Sequence, residues 1–254
     1  MSHSNYARAS PRLAGFPGND YPGTERALRE FAGENHDVLE VGCGTGHWLA
    51  LLQTWGCRAI GLEPSEQMLA RAAERQCGAR LLRGHAEAIP CADASFDRVV
   101  CINALHHFAD KRRFVGEARR VLRPGGRFMA INLDPSQGLD SWCIYDYWPS
   151  TLALDRERYP RSEDIRSWLA AAGFGECASY VADRILFDRV AREALERGLL
   201  AKTVTSQLML LDDAEYQRGI AAIEGAIQAA EARGDTLRLA ADLRLYATIG
   251  TVPG

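Results

Sequence analysis

The chain is 254 residues long, carries 30 basic and 33 acidic side chains for a net charge of −3, and is 47% hydrophobic. That length supports one large α/β domain or one domain with a modest insertion, and a charge so near balance announces no polyanionic partner. No run approaches the roughly 18 apolar residues that span a bilayer, and the opening MSHSNYARASPRLAG holds no apolar leader core, so a cytoplasmic protein off the membrane is expected.

Residues 1–21, rich in Gly, Pro and Ser, are expected to form an N-terminal arm. Apolar runs of strand length then alternate with segments of helical period. DVLEVG (37–42) leads through three closely spaced glycines into a helix at His47, and RAIGLE (58–63) is the second strand. Ser65 is placed to cap a helix whose Met68, Leu69, Ala72 and Ala73 share a face, ahead of strands at ARLLRG (79–84) and FDRVVCIN (96–103). From Lys111 to Leu122 a helix turns Phe114, Val115, Ala118, Val121 and Leu122 inward. RPGG (123–126) breaks it, and GRFMAIN (126–132) is the next strand.

The period is then lost over 138–160, where Trp142, Tyr145, Tyr147, Trp148 and Tyr159 crowd together, which predicts an aromatic insertion after the fifth strand. A helix returns at 162–173, with Ser162 as its cap, and another starts at Asp212, where Asp212 and Glu215 have capping-box spacing. The alternation of LRLAADLRLYATI (237–249) is that of a half-buried antiparallel strand. Together these predict a Rossmann-like α/β fold: a seven-stranded, mostly parallel sheet with an antiparallel last strand and helices on both faces. One domain, 1–254, is expected, with 138–160 and 184–235 as cap or insertion elements. Seven cysteines scattered singly, with no C-x-x-C pair, suggest reduced thiols and no metal.

A strand that ends in Gly42-Cys43-Gly44-Thr45-Gly46 puts bare backbone at the carboxyl edge of a parallel sheet, where open α/β folds bind ligands. The dinucleotide fingerprint wants Gly or Ala where His47 stands, and no G-K-[ST] follows, so a pyrophosphate cofactor is disfavoured. Glu63, about 20 residues beyond the glycine turn, is placed to accept hydrogen bonds from both hydroxyls of a ribose. A ribose without a pyrophosphate suggests S-adenosylmethionine.

With these residues in view, the sequence resembles the class I S-adenosylmethionine-dependent methyltransferases, in the small-molecule branch of the ubiquinone and menaquinone C-methyltransferases. The likeness is carried by VLEVGCGTG, GLEPSEQML, GHAEAIP followed by SFDRVVCINALHHF, and EARRVLRPGGRFM, in order over about residues 37 to 132. The resemblance implies binding of S-adenosylmethionine and release of S-adenosylhomocysteine. It puts Glu40, Gly42, Gly44 and Gly46 beside the methionine portion and Glu63 on the ribose. Pro64, Ser65 and Met68 would flank the adenine, Met68 being equally readable as helix core. His85, Ala86 and Glu87 would border the adenine edge, and Asn103 would bring main chain toward the amino group. Many relatives have an acid where His85 stands; a neutral imidazole nitrogen can accept the same bond.

Methyl transfer from a sulfonium chiefly needs alignment, so a missing base would not veto the assignment. His107 in NALHHF is the candidate general base, and His106 a candidate lining residue with Tyr145 and Trp148 of the aromatic stretch. The acceptor is expected to be a small organic molecule attacked at O, C or N. Nucleic acid is not expected as a partner, since the fourth strand lacks the N-P-P-Y type motif and the basic run from Lys111 to Arg123 reads as a solvated helix face. Two readings stay open: a methyltransferase, or a non-catalytic S-adenosylmethionine-binding sensor or partner subunit. Monomer and homodimer are both compatible with the sequence.

Overall fold

The computed structural model describes residues 21–75 and 78–254, so the expected arm lies outside the described residues except at Tyr21, as does Cys77. These residues gather into two compact units, one of Pro22–Asp134, Tyr159–Asp183 and Leu245–Gly254, the other of Pro135–Arg158 and Arg184–Arg244 with Tyr21.

In the larger unit α1 (Pro22–Ala32) precedes β1 (Asp37–Val41), α2 (His47–Thr54), β2 (Arg58–Glu63), α3 (Glu66–Glu74), β3 (Arg80–Arg83) and β4 (Phe96–Ile102). Then come α4 (Lys111–Val121), β5 (Leu122–Leu133), α7 (Ser162–Ala171) and parts of β7 (Gly175–Val190) and β8 (Arg238–Thr251), with α5 (Cys143–Tyr147) and α6 (Ser150–Arg158) lying in the other unit. The strand order is β3-β2-β1-β4-β5-β8, with β7 also paired to β8. Neighbours from β3 to β5 run parallel, and β5 meets β8 antiparallel from Arg127↔Thr251 to Leu133↔Leu245. This is the expected architecture. The central strands β1, β4 and β5 are mostly buried runs, as a sheet covered on both faces requires.

Local chemistry sets the element boundaries. Ser65 Oγ accepts the Met68 N–H at 3.3 Å and Asp110 accepts that of Arg113 at 2.9 Å, satisfying donors the first helical turns leave orphaned. Phe114, Val115, Ala118 and Val121 of α4 are fully buried, as their spacing predicts. Their core continues through the rings of Phe108, Phe114, Phe128 and Phe174, each 4.9 to 6.0 Å from the next.

Three expectations need correction. Ser162 is not the cap of α7 but its first residue: Arg161 occupies the cap position, and the Ser162 N–H is taken by the buried Asp134 carboxylate at 2.8 Å. RPGG lies inside β5, where the pairing shifts from Phe96↔Leu122 to Arg98↔Arg127 across an irregularity that absorbs the extra residues. Eight strands are described rather than seven. Two fall where the sequence places no strand: β7, and β6 (Ser141–Trp142), two residues paired to β8 and too short to show a period.

The smaller unit holds β6, α5 (Cys143–Tyr147), α6 (Ser150–Arg158), α8 (Ala191–Glu196), α9 (Ser206–Leu210), α10 (Asp213–Glu231) and the rest of β7 and β8. Asp212 caps α10 by accepting the Glu215 N–H at 2.6 Å, as its spacing predicts. No helix among the described residues is long and apolar enough to cross a membrane.

Candidate functional site

The carboxyl ends of β1, β2 and β4 bring the glycine turn, Glu63 and the Asn103–Phe108 loop to one edge of the larger unit's sheet. Gly42 and Gly44 have φ of 78° and 51°, left-handed values that side chains rarely adopt. Their surroundings differ. A Cβ on Gly42 would stand 2.4 Å from that of Ala104, whereas one on Gly44 meets nothing within 4 Å. Gly42 is thus needed by the protein's own packing, and Gly44 leaves an open cradle. Gly42→Ala is expected to cost about 2–4 kcal/mol of stability through strain and overpacking. Gly44→Ala is expected to cost about 1–2 kcal/mol while weakening S-adenosylhomocysteine at least tenfold; melting curves and calorimetric titration separate the two.

Glu63 ties the turn to the next loop. Its Oε2 accepts the Gly44 N–H at 3.2 Å and its Oε1 accepts the Ser65 N–H at 3.0 Å, so one carboxylate links the end of β2 to both backbones. Burial pushes the carboxyl above the ordinary range, opposed by those two N–H groups and by His85. Pro64 and Ser65 are half-buried beside it, and Met68 is buried at 2% exposure, consistent with helix core. Gly46 ends the turn, and a Cβ there would sit 3.0 Å from that of Ala72.

Glu40 lies within β1, opposite Gly61 on one side and Val100 on the other, and is 1% exposed. Its Oε2 has no hydrogen-bond partner among the described residues. Burial, helped by repulsion from Glu63, raises its pKa from 4.5 to about 8. Between those values the folded chain holds a proton that the unfolded chain has lost, so stability falls as pH rises from 4.5 to 8. Glu40→Gln is expected to flatten that slope in denaturation midpoints taken across the window. The buried Oε2 also suits a cationic group on a ligand, whose charge would draw the carboxyl into its ionised form.

The 85–91 segment is held from behind. Glu87 Oε1 accepts the N–H groups of Ala109 and Asp110 at 2.8 and 3.2 Å, and Arg113 Nε donates to the Glu87 carbonyl at 2.8 Å. Ile89 N–H donates to Glu117, and Arg120 reaches the carbonyls of Ile89 and Cys91. The Glu87 side chain thus fastens the loop before α4. Ala86 joins the core and His85 is exposed. Asn103, at φ 50°, donates its N–H to the Ile131 carbonyl at 2.8 Å, turning the chain sharply out of β4.

Beyond that turn, His106 is 8% exposed and His107 half-buried, their ring centroids 3.9 Å apart. Tyr159, from a distant part of the sequence, stacks on His106 at 4.1 Å with its hydroxyl 3.3 Å from Nε2. Sequence reading had grouped Tyr159 with the aromatic insertion; only the tertiary fold reveals this partnership. Tyr145 and Trp148 belong to the smaller unit. The Tyr145 hydroxyl donates to Asp155 at 2.8 Å, and Trp148, 1% exposed, stacks on Tyr216 and donates its Nε1–H to the Tyr216 carbonyl at 3.1 Å. Trp148 here serves its own unit's core. Among the described residues no cluster suited to a metal ion is found.

A family model described as a methyltransferase domain matches residues 39–130. The Bacillus subtilis (strain 168) protein named Uncharacterized methyltransferase YcgJ is 35% identical over 102 residues, 38% of this chain and 40% of its own length. This chain therefore spans less than half of that curated relative. Demethylmenaquinone methyltransferase of Thermus thermophilus is 29% identical over 184 residues, 58% of this chain and 82% of that one. The crystal structure of the Bacillus YcgJ protein shares the fold, with a TM-score of 0.59 at 20% identity over 91% of this chain and 98% of its own.

Proposed function

We propose, from the match of residues 39–130 to a methyltransferase domain, that the chain moves a methyl group from S-adenosylmethionine to O, C or N of a small organic molecule. The observation that carries this reading is the Glu63 carboxylate fixed between the Gly44 and Ser65 N–H groups, beside the open space into which a Cβ on Gly44 would project. A carboxylate so held suits a ribose diol, and the bare backbone beside it lets a ligand approach closely.

When bound, S-adenosylmethionine supplies a methyl group already activated on a sulfonium sulfur, open to in-line displacement. The chain's task is then to bind and align. Glu63 takes the ribose hydroxyls, Glu40 and the Gly42–Gly46 turn the cationic methionine end, and Pro64, Ser65 and Met68 the adenine, with His85, Ala86 and Glu87 along its edge and Asn103 near the amino group. Alignment of bound reactants is worth ~7–11 kcal/mol, against ~10²–10⁴-fold for a positioned base. His107 is assigned that base role, with His106 beside it lining the acceptor's approach. The reading includes a single domain with 138–160 and 184–235 as inserted elements, a cytoplasmic location and no nucleic-acid partner.

Calorimetric titration with S-adenosylmethionine, S-adenosylhomocysteine and NAD tests this directly. Micromolar binding of both sulfur compounds without NAD is expected, followed by methyl transfer when phenols, amines and carboxylic acids are screened. Failure to bind either sulfur compound would overturn the assignment.

A further inference from the structure

We propose that Tyr159 is a positioning residue for the histidine pair, holding the His106 ring, and through it His107, in one orientation and one tautomer. The purpose assigned to the histidines rests on the methyltransferase reading; the geometry does not. Tyr159 and His106 are 7% and 8% exposed, their rings stack at 4.1 Å with planes 23° apart, and the tyrosine hydroxyl lies 3.3 Å from Nε2. His107 packs on the same imidazole at 3.9 Å, tilted by 44°. Three rings are therefore in series, with His106 between the other two.

Stacking and hydrogen bonding do different things here. The tyrosine face occupies space that a rotating imidazole would sweep, which limits the ring's orientation. The hydroxyl meets Nε2 and so distinguishes it from Nδ1, biasing a neutral imidazole between its two tautomers. The support beneath Tyr159 is firm. Pro160 follows it and restricts its backbone to extended conformations, and two residues on the Ser162 N–H is anchored on the buried Asp134 carboxylate at 2.8 Å. A side chain that orients a histidine without touching the reacting atoms is what precise proton handling requires.

The test is nitrogen NMR of ¹⁵N-histidine-labelled, ligand-free protein at a fixed pH where the imidazole is neutral, with the His106 signals assigned by their loss in His106→Gln. In the unmodified protein the two His106 ring nitrogens are expected to be widely separated, one tautomer dominating. Tyr159→Phe keeps the stack, loses the hydroxyl and is expected to draw the signals together toward the averaged position. Should Tyr159→Phe fail to fold, 3-fluorotyrosine labelling changes the hydroxyl's acidity with almost no change of shape, and the His106 signals are expected to move. Unchanged signals in the phenylalanine variant, or in the fluorinated protein where that variant is unfolded, would overturn the proposal. S-adenosylhomocysteine titration of the same samples reads the underlying function separately: retained affinity with shifted signals supports both, whereas absent binding with shifted signals removes the methyltransferase reading and leaves the tyrosine's positioning role.

Discussion

Glu63→Ala is expected to weaken S-adenosylhomocysteine binding by at least 100-fold. Two hydrogen bonds to a charged acceptor contribute about 1.5–3 kcal/mol each, so losing both amounts to roughly 100- to 10⁴-fold in affinity. The structure adds a second loss. The same carboxylate holds the Gly44 and Ser65 N–H groups, so its removal also frees the glycine turn and the entry to α3. Glu63→Gln separates the two effects. An amide keeps one acceptor oxygen for either backbone group but presents N–H to the other, so an intermediate loss is expected. Calorimetric titration of the three proteins decides the matter, and equal affinity in all three would remove Glu63 from the site.

Asp155→Ala is expected to destabilise the smaller unit by about 3–5 kcal/mol, the usual penalty for stranding one partner of a buried ion pair. Asp155 is fully buried. Its Oδ2 accepts from the Tyr145 hydroxyl and from Gln207 Nε2, both at 2.8 Å, and its Oδ1 accepts from Arg158 at 2.6 Å. Alanine leaves the arginine, 17% exposed, without that carboxylate and takes the acceptor from the two neutral donors. At about 2–4 °C per kcal/mol for a chain of this size, calorimetry should show a melting temperature lower by roughly 6–20 °C. Asp155→Asn, which keeps the shape and one acceptor, should fall between. A loss below about 1 kcal/mol would mean that Arg158 swings out to water and that the cluster holds little together.

The parts of this molecule legible in the sequence are those encoded over a few residues. A strand, a glycine turn and a helix at 37–54, the caps at Ser65 and Asp212, and the inward face of α4 depend on local chemistry and short periods, and each appears where the pattern puts it. β7 was missed for an equally local reason. Glu176, Asp183, Arg184, Asp188 and Arg189 interrupt it, and Tyr180, Val181 and Leu186 are exposed while Ala182, Ile185 and Phe187 are buried, so its apolar residues mark no single face. At the candidate site, motif alone singles out Glu40, Glu63 and the glycines, and the fold ties Glu63 to the glycine turn through the Gly44 N–H. The meeting of Tyr159 with His106 spans 53 positions and leaves no trace in either segment alone. Trp148 was ambiguous because an aromatic residue among other aromatics reads alike whether it lines a pocket or fills a core.

The bonds that lace residues 87–91 to α4 bear on how a ligand would be received. Glu87, Glu117 and Arg120 fasten that stretch so completely that it has little freedom left to lose. Backbone amides there should exchange with deuterium as slowly as those of the helix, with or without S-adenosylhomocysteine, because the wall is built when the chain folds. The entropic cost of assembling that side of the site then falls on folding, and binding enthalpy should be eroded little by local ordering.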